Sequence, residues 1–274
     1  MTTDRYGVVG HPVAHSLSPQ IHAAFAQQTG IDLQYRRILA PLDGFIATAE
    51  TFFDEGGRGI NVTVPFKLEA FAWCGERVTA RARRAGAVNC VAVDAEGLHG
   101  DNTDGAGLVD DLQRLLGRSL AGSRLLLLGA GGAARGVLGP LLTTGLRSIA
   151  IVNRDHAKAV ALADEPRLEA RSLDSIGGEA FDVVVNATSA SLGGAALTLP
   201  SDVLGNARLV YDMMYGAEPT PFLLEAERAG AHATADGLGM LVEQAAESFF
   251  VWRGVRPRTE AVRATLRATL QASR

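Results

Sequence analysis

The sequence predicts an α/β protein of two domains, the second built on a doubly wound parallel sheet. Three observations carry this. Strand-length apolar runs alternate with helical patterns along nearly the whole chain. One run, Arg124 to Leu128, is apolar without alternation, as expected for a strand covered on both faces. The rhythm also changes near Gly105, from a mixed succession of elements to a regular strand–helix alternation, which places a domain boundary there. Its 274 residues suit one large domain or two ordinary ones, and with 47% hydrophobic and 20% charged residues the chain can bury a real core and is not disordered.

Taken in order, Tyr6 to Val9 reads as a short strand. Ser18-Pro19 reads as an N-cap followed by proline in the first helical position, and that helix stops at Gly30. Leu33 to Leu39 is a strand, Phe45 to Phe53 a helix ended by Gly56-Gly57, and Gly59 to Val64 a strand broken at Pro65. Lys67 to Cys74 is a short helix. Val88 to Val93 and Leu98-His99 flank a hairpin turn at Asp94–Gly97. After the helix from Gly105 to Leu116 come strands at Arg124 to Leu128, Ile149 to Val152, Val183 to Ala187 and Leu209 to Asp212. Helices at Ala133 to Thr143, His156 to Ala163 and Pro221 to Ala229 separate them. Residues 239–272 read as two helices split near Gly254 and Pro257. There is no internal repeat and no low-complexity linker.

Composition excludes several function classes. The net charge is −4 with no basic stripe, so no nucleic-acid partner is expected. No apolar run is long enough to span a bilayer, and Met1–Arg5 lacks the order of a secretory signal. A cytoplasmic enzyme is therefore expected. Cys74 and Cys90 have no metal-type spacing, no Cys/His/Asp cluster suggests a metal, and the cysteines read as small buried apolar residues.

The cofactor signal is a strand running into Gly129-Ala130-Gly131-Gly132-Ala133-Ala134, a G-x-G-x-x-A turn opening a helix. Gly129 makes the tight turn, Gly131 lets the main chain approach a pyrophosphate, and the helix N-terminus receives the anion. The next strand ends at Asn153-Arg154, where an NAD enzyme usually carries a carboxylate for the ribose hydroxyls. A guanidinium there pairs with a 2′-phosphate, so NADP is favoured over NAD, and Lys158 offers a second cation or a merely solvated helix face. Asp155 works against that preference and leaves dual cofactor use open.

The chemistry signal is four polar clusters on strand ends and turns: His15–Pro19, Asn61–Lys67, Asn89-Cys90 and Asp101–Asp104. They hold hydroxyls and amides suited to a polyhydroxylated acid. Of 26 basic residues, only Lys67 and Lys158 are lysines. An ammonium can exchange a proton near neutrality where a guanidinium cannot, so Lys67 is the candidate acid/base and Asp104 its orienting partner. Read without their neighbours, Lys67 would be a surface lysine, Ser18 a helix cap, Thr63 and Asn61 strand-end hydrogen bonders, and His15 a structural residue.

Gly10-His-Pro-Val-Ala-His-Ser16-Leu-Ser18-Pro19, Gly59-Ile-Asn-Val-Thr-Val-Pro-Phe-Lys67, Gly86-Ala-Val-Asn89 and Gly100-Asp-Asn-Thr-Asp104-Gly105 resemble motifs of the shikimate dehydrogenases. So do Gly129–Ala134, Asn153-Arg154, Asn186-Ala-Thr188-Ser189, Asp212-Met-Met-Tyr215 and Asp236-Gly-Leu-Gly-Met240-Leu-Val-Glu-Gln244. The match runs in order along nearly the whole chain. The resemblance implies two α/β domains around a cleft: residues 1–104, a smaller substrate-binding and catalytic domain completed by helices in 239–274, and 105–238, an NADP-binding Rossmann-type domain. It implies reversible, NADPH-dependent reduction of 3-dehydroshikimate to shikimate, in the chorismate route to aromatic amino acids. Lys67 and Asp104 would be the catalytic pair. Ser16, Ser18, Thr63, Asn89, Tyr215 and Gln244 would join them in gripping the substrate, the two serines on its carboxylate. Gly129, Ala130, Gly131, Gly132, Ala133, Asn153, Arg154, Lys158 and Thr188 would hold the cofactor, with Met213, Gly237 and Met240 bordering its nicotinamide. Asp155, where related sequences often carry threonine, is the departure that bears on cofactor choice. A quinate-preferring relative, a reductase of an amino-substituted analogue and a non-catalytic dinucleotide sensor are the competing readings. Retention of Lys67 and Asp104 argues against the sensor, and either a monomer or a homodimer is expected.

Overall fold

The apolar runs before residue 102 collect into one five-stranded sheet, and those after residue 123 into a second of six strands. The structure is a computed structural model that describes residues 3–188 and 198–272. It divides into two units, Met1–Gly107 with Val242–Ala264 and Leu108–Leu241 with Thr265–Arg274.

The first unit holds β1 (Asp4–Gly10), α1 (Ser18–Thr29), β2 (Leu33–Leu39), α2 (Phe45–Asp54), β3 (Gly57–Val62), α3 (Lys67–Cys74), α4 (Ala80–Ala85), β4 (Cys90–Asp94) and β5 (Gly97–Asp101). Its sheet order is β2-β1-β3-β4-β5. β1 is parallel to β2 and β3, whereas β4 is antiparallel to both β3 and β5. That mixture has a consequence for function. The carboxyl ends of β1 and β3, the start of β4 and the end of β5 all lie at one end of the sheet, because Asn61 pairs with Cys90 and Cys90 with Asp101. The core beneath is Val9, Phe45, Phe52, Ile60, Val62, Phe66 and Val88, with the Phe45 and Phe66 rings stacked at 5.2 Å.

The second unit holds most of α5 (Asp104–Leu116), then β6 (Arg124–Leu128), α6 (Gly132–Thr143), β7 (Ser148–Val152), α7 (His156–Leu162), β8 (Leu168–Arg171), β9 (Val183–Asn186), α8 (Ser201–Gly205), β10 (Leu209–Asp212), α9 (Pro221–Arg228) and β11 (Thr234–Asp236). The strand order is β11-β10-β9-β6-β7-β8, every neighbouring pair parallel. Counted from β6, this is the 3-2-1-4-5-6 order of the dinucleotide-binding fold, reversing direction between β6 and β9. Leu125 and Leu127 enter one buried cluster and Leu126 and Leu128 the other, so both faces of β6 are covered and its sequence need not alternate. The last helices are α10 (Leu238–Arg253) and α11 (Glu260–Ala272). Among the described residues, no helix is long and apolar enough to cross a membrane.

Two local expectations are corrected. α1 already includes Ser18, Leu17 stands at its cap position, and no side chain caps it. The Ser18 hydroxyl instead accepts a hydrogen bond from the Ser16 hydroxyl at 3.1 Å. α4, β8, α8 and β11 were not foreseen. All are three to six residues long. At that length tertiary pairing outweighs the hydrophobic pattern.

Candidate active site

Four segments, three of them running into helix starts, converge at one end of the first unit's sheet. Ser16 to Ser18, the first residue of α1, follow β1, Thr63–Lys67 follows β3, Asn89 precedes β4, and Asn102–Asp104 follow β5. The Lys67 ammonium donates to Asp104 Oδ2 at 2.6 Å, with the two side chains 32% and 17% exposed. Both are reachable by a small molecule, yet neither is free in solvent. Asn89 Nδ2 donates to Asp104 Oδ1 at 2.7 Å. The Asn89 amide cannot turn over without loss, because its Oδ1 accepts the Thr103 backbone N–H at 2.8 Å. Lys67 is tied to the segment leading into β4 through its carbonyl, which accepts the Val88 N–H at 2.9 Å.

Gln244 reaches this cluster from α10, with Oε1 3.4 Å from Thr103 Oγ1 and 3.5 Å from Asn89 Nδ2. The approach depends on Gly107, where a Cβ would lie 2.6–2.9 Å from Gln244 N, Cβ and Cα. Behind it runs a buried polar chain. Tyr35 O–H donates to Asn61 Oδ1, Asn61 Nδ2 donates to Ser248 Oγ at 2.9 Å, and Ser248 Oγ lies 3.1 Å from Thr103 Oγ1. The serine loop is pinned by Arg37, whose Nε and Nη2 donate to the Ser16 carbonyl at 3.0 and 2.7 Å. Thr63 is held by its backbone N–H on the Val9 carbonyl. His15 is exposed.

The second unit carries a cavity of about 800 Å³ lined by Gly129–Ala133, Asn153–Asp155, Lys158, Ala187, Thr188, Met213 and Met214. It sits at the carboxyl ends of the strands where their order reverses, the place where such sheets bind ligands. Gly129 turns there with φ 106°, a conformation that favours glycine. At Gly131 and Gly132 a Cβ would meet nothing within 4 Å, so the bare backbone is exposed to whatever occupies the cavity. α6 starts at this point with no acidic residue in its first turn, which suits an anion at its N-terminus. Arg154 and Lys158 add cations, and Lys158 lies 3.8 Å from Asp155, offsetting that carboxylate's charge. These residues therefore fit a dinucleotide carrying several phosphates.

Thr188 is fixed by Asn186 Oδ1, which accepts both its N–H and its O–H. The buried Asp212 accepts from Asn186, from Thr220 and from the Met214 N–H, and so shapes the methionine loop. Gly237 packs against the Met213 carbonyl. The Met240 N–H donates to the Tyr211 hydroxyl at 3.3 Å. Gly237, Met240 and Tyr215 do not belong to the cavity lining. Tyr215 is half-buried, and burial together with Asp236 raises its phenol above the ordinary range. Ser189, the end of the Asn186 motif, lies outside the described residues.

Sequence reading missed Ser248, Arg37 and the Ala187 and Met214 walls. Ser248 follows Gln244 by four residues and so shares its helix face, a signal that was available. Arg37 carries no local mark.

Comparison with known proteins agrees with this geometry. Residues 8–91 match the shikimate dehydrogenase substrate binding domain, 111–193 the shikimate/quinate 5-dehydrogenase family, and 237–267 the shikimate 5'-dehydrogenase C-terminal domain. The shikimate dehydrogenase (NADP(+)) of Bordetella avium is 56% identical over 98% of this chain and 96% of its own length. The solved Ael1 enzyme of Pseudomonas putida superposes with a TM-score of 0.92 at 48% identity, covering 96% of this chain and 98% of that one. The shikimate 5-dehydrogenase of Thermus thermophilus, solved with NADP(H) and shikimate, superposes with a TM-score of 0.86 at 34% identity over 98% of this chain and all of that one. With its motifs and both its units matched along almost the full sequence, the chain belongs to the shikimate dehydrogenase family.

Proposed function

We propose that this chain is an NADP-dependent shikimate dehydrogenase, reducing 3-dehydroshikimate reversibly to shikimate. The observation that carries the reading is the 2.6 Å Lys67–Asp104 pair, half-shielded and locked by Asn89 at the sheet end that also bears Ser16, Ser18 and Thr63. The relatives' names and the fit of the second unit's cavity to a polyphosphate dinucleotide support it.

Residues 1–104, completed by helices from 239–274, would bind substrate, and 105–238 would bind NADP. Ser16 and Ser18 donate hydroxyl hydrogen bonds to the substrate carboxylate. Thr63, Asn89, Asp104 and Gln244 hold the ring hydroxyls. Lys67 hydrogen-bonds the ketone oxygen, stabilises the alkoxide as its charge develops, and gives it a proton. Asp104 keeps the ammonium aimed at that oxygen, and its own charge is unchanged when Lys67 gives up the proton and is left as a neutral amine. Arg154, with Lys158 beside it, takes the 2′-phosphate, and the N–H groups at the start of α6 take the pyrophosphate. Met213, Gly237 and Met240 would border the nicotinamide. When bound, NADPH supplies the hydride. The two buried, unpaired cysteines suit a reducing compartment, and we assign the enzyme to the cytoplasm.

The test is nicotinamide absorbance with purified protein, comparing shikimate and quinate, each with NADP⁺ and NAD⁺. Turnover of shikimate with NADP⁺ is expected to exceed the other three combinations. No turnover with shikimate, or a preference for quinate with NAD⁺, rejects the proposal.

A further inference from the structure

We propose that Arg81 is a positioning residue for this reaction, its guanidinium bridging Asp101 and Glu247 so that the Asp104 carboxylate and the Gln244 amide are held in one arrangement. The proposal rests on the roles given above to Asp104 and Gln244.

Arg81 lies on α4, one of the elements the sequence did not disclose. Its Nε and Nη2 donate to the two oxygens of Asp101 at 2.7 and 2.6 Å, a parallel fork. The remaining arm, Nη1, donates to Glu247 Oε1 at 2.8 Å. The Asp101 side chain is 5% exposed and that of Glu247 13%.

Each arm ends next to a substrate-gripping group. On one side, Asp101 Oδ1 also accepts the Thr79 hydroxyl at 2.5 Å and the Asn102 N–H at 2.7 Å. Asn102 Oδ1 in turn accepts the Asp104 N–H at 3.2 Å, and the Asp101 carbonyl accepts the Asn89 N–H at 3.0 Å. So the backbone of Asp104 and that of its partner Asn89 are both tethered to Asp101. On the other side, Glu247 is three residues beyond Gln244 on α10, and a turn of that helix about its axis moves both. Arg256 holds Glu247 from its other flank. One guanidinium thus couples a loop near residue 100 to a helix near residue 245. Lysine, a point donor, cannot make the fork and the third arm together.

Among the described residues Arg81 reaches the chemistry through Asp101 and Glu247 alone, so its loss is expected to act only on the shikimate terms. The test is Arg81→Lys with the intact enzyme, measuring kcat, KM for shikimate, KM for NADP⁺ and the folded fraction by circular dichroism. The expected result is a fall in kcat/KM for shikimate of about tenfold or more, corrected for folded fraction, with KM for NADP⁺ unchanged. An active wild type alongside an Arg81→Lys variant of equal kcat/KM overturns the proposal, as does a loss explained wholly by unfolded protein or shared equally by both substrates. A wild type inactive on shikimate overturns the functional reading itself. Should Arg81→Lys not fold, Glu247→Gln weakens one arm only. A rise of about two- to tenfold in shikimate KM then supports the bridge, and an unchanged KM overturns it.

Discussion

Replacing Gly107 by alanine separates helix propensity from site geometry. Gly107 lies within α5, where alanine is favoured over glycine by about 1 kcal/mol. Its added Cβ would sit 2.6 Å from Gln244 N, 2.7 Å from Gln244 Cβ and 2.9 Å from Gln244 Cα. Ordinary carbon contacts are ~3.5–4.0 Å, so α10 must retreat locally by about 1 Å. Two of the three atoms are backbone and cannot rotate away. Overpacking of this kind costs about 1–3 kcal/mol, and the propensity gain offsets roughly a third or more of that. The net loss of about 0–2 kcal/mol lowers the Tm by no more than about 8 °C. Activity is the sharper readout. The Gln244 amide oxygen stands 3.4 and 3.5 Å from Thr103 and Asn89, at the limit of hydrogen bonding, and a further retreat breaks both contacts. A misplacement of about 1 Å can cost up to ~100-fold, so kcat/KM for shikimate is expected to fall by about 10- to 100-fold. KM for NADP⁺ should stay within error. The assay is initial-rate kinetics varying each substrate in turn. A folded Gly107→Ala enzyme with wild-type kcat/KM for shikimate would refute the assignment of Gln244 to the substrate site.

Gly131→Ala should behave in the opposite way. Its Cβ meets no protein atom within 4 Å and its backbone, at φ −87°, suits any residue, so the Tm should hold. KM for NADP⁺ should rise by about tenfold or more because the pyrophosphate must approach that main chain, and an unchanged KM would remove the pyrophosphate from that turn. Lys67→Ala should lower kcat by about 10²–10⁴-fold while shikimate KM changes far less, and a normal kcat would end its role as proton donor. Among the described residues, neither ring nitrogen of the fully buried His22 has a hydrogen-bond partner, and its ring stacks on Tyr35 at 4.2 Å. Burial is the main cause that lowers its pKa from 6.5 to about 3. The unfolded chain therefore binds a proton that the native imidazole refuses between pH 6.5 and about 3, and stability falls as pH drops through that window, by about 1.4 kcal/mol per unit. His22→Phe should remove this component, so urea titrations at pH 7 and pH 5 should show a smaller loss for the variant. Equal losses would mean that His22 is not held neutral.

Much of this protein could be read without coordinates. Leu33–Leu39, Lys67–Cys74, Arg124–Leu128 and Leu209–Asp212 have the bounds that the sequence predicts, because local pattern, turn chemistry and caps agree there. The lysines at 67 and 158 stood out because arginine serves almost everywhere else. The glycine turn announced itself because a strand, bare backbone and a helix start must be contiguous in the chain to hold an anion. Other features depend on residues far apart in sequence. Arg81 is one of three arginines between residues 80 and 85, and only the fold sets its fork on Asp101 and Glu247. Ser248 acquires meaning from Asn61, 187 residues earlier. Gly107 looks like a weak point in a helix until Gln244 packs on it. Short-range patterns dictate which segments form helices and strands and where backbone is left bare. Hydrogen bonds and close contacts between distant segments exist only once the chain has folded, and they decide which donor meets which carboxylate.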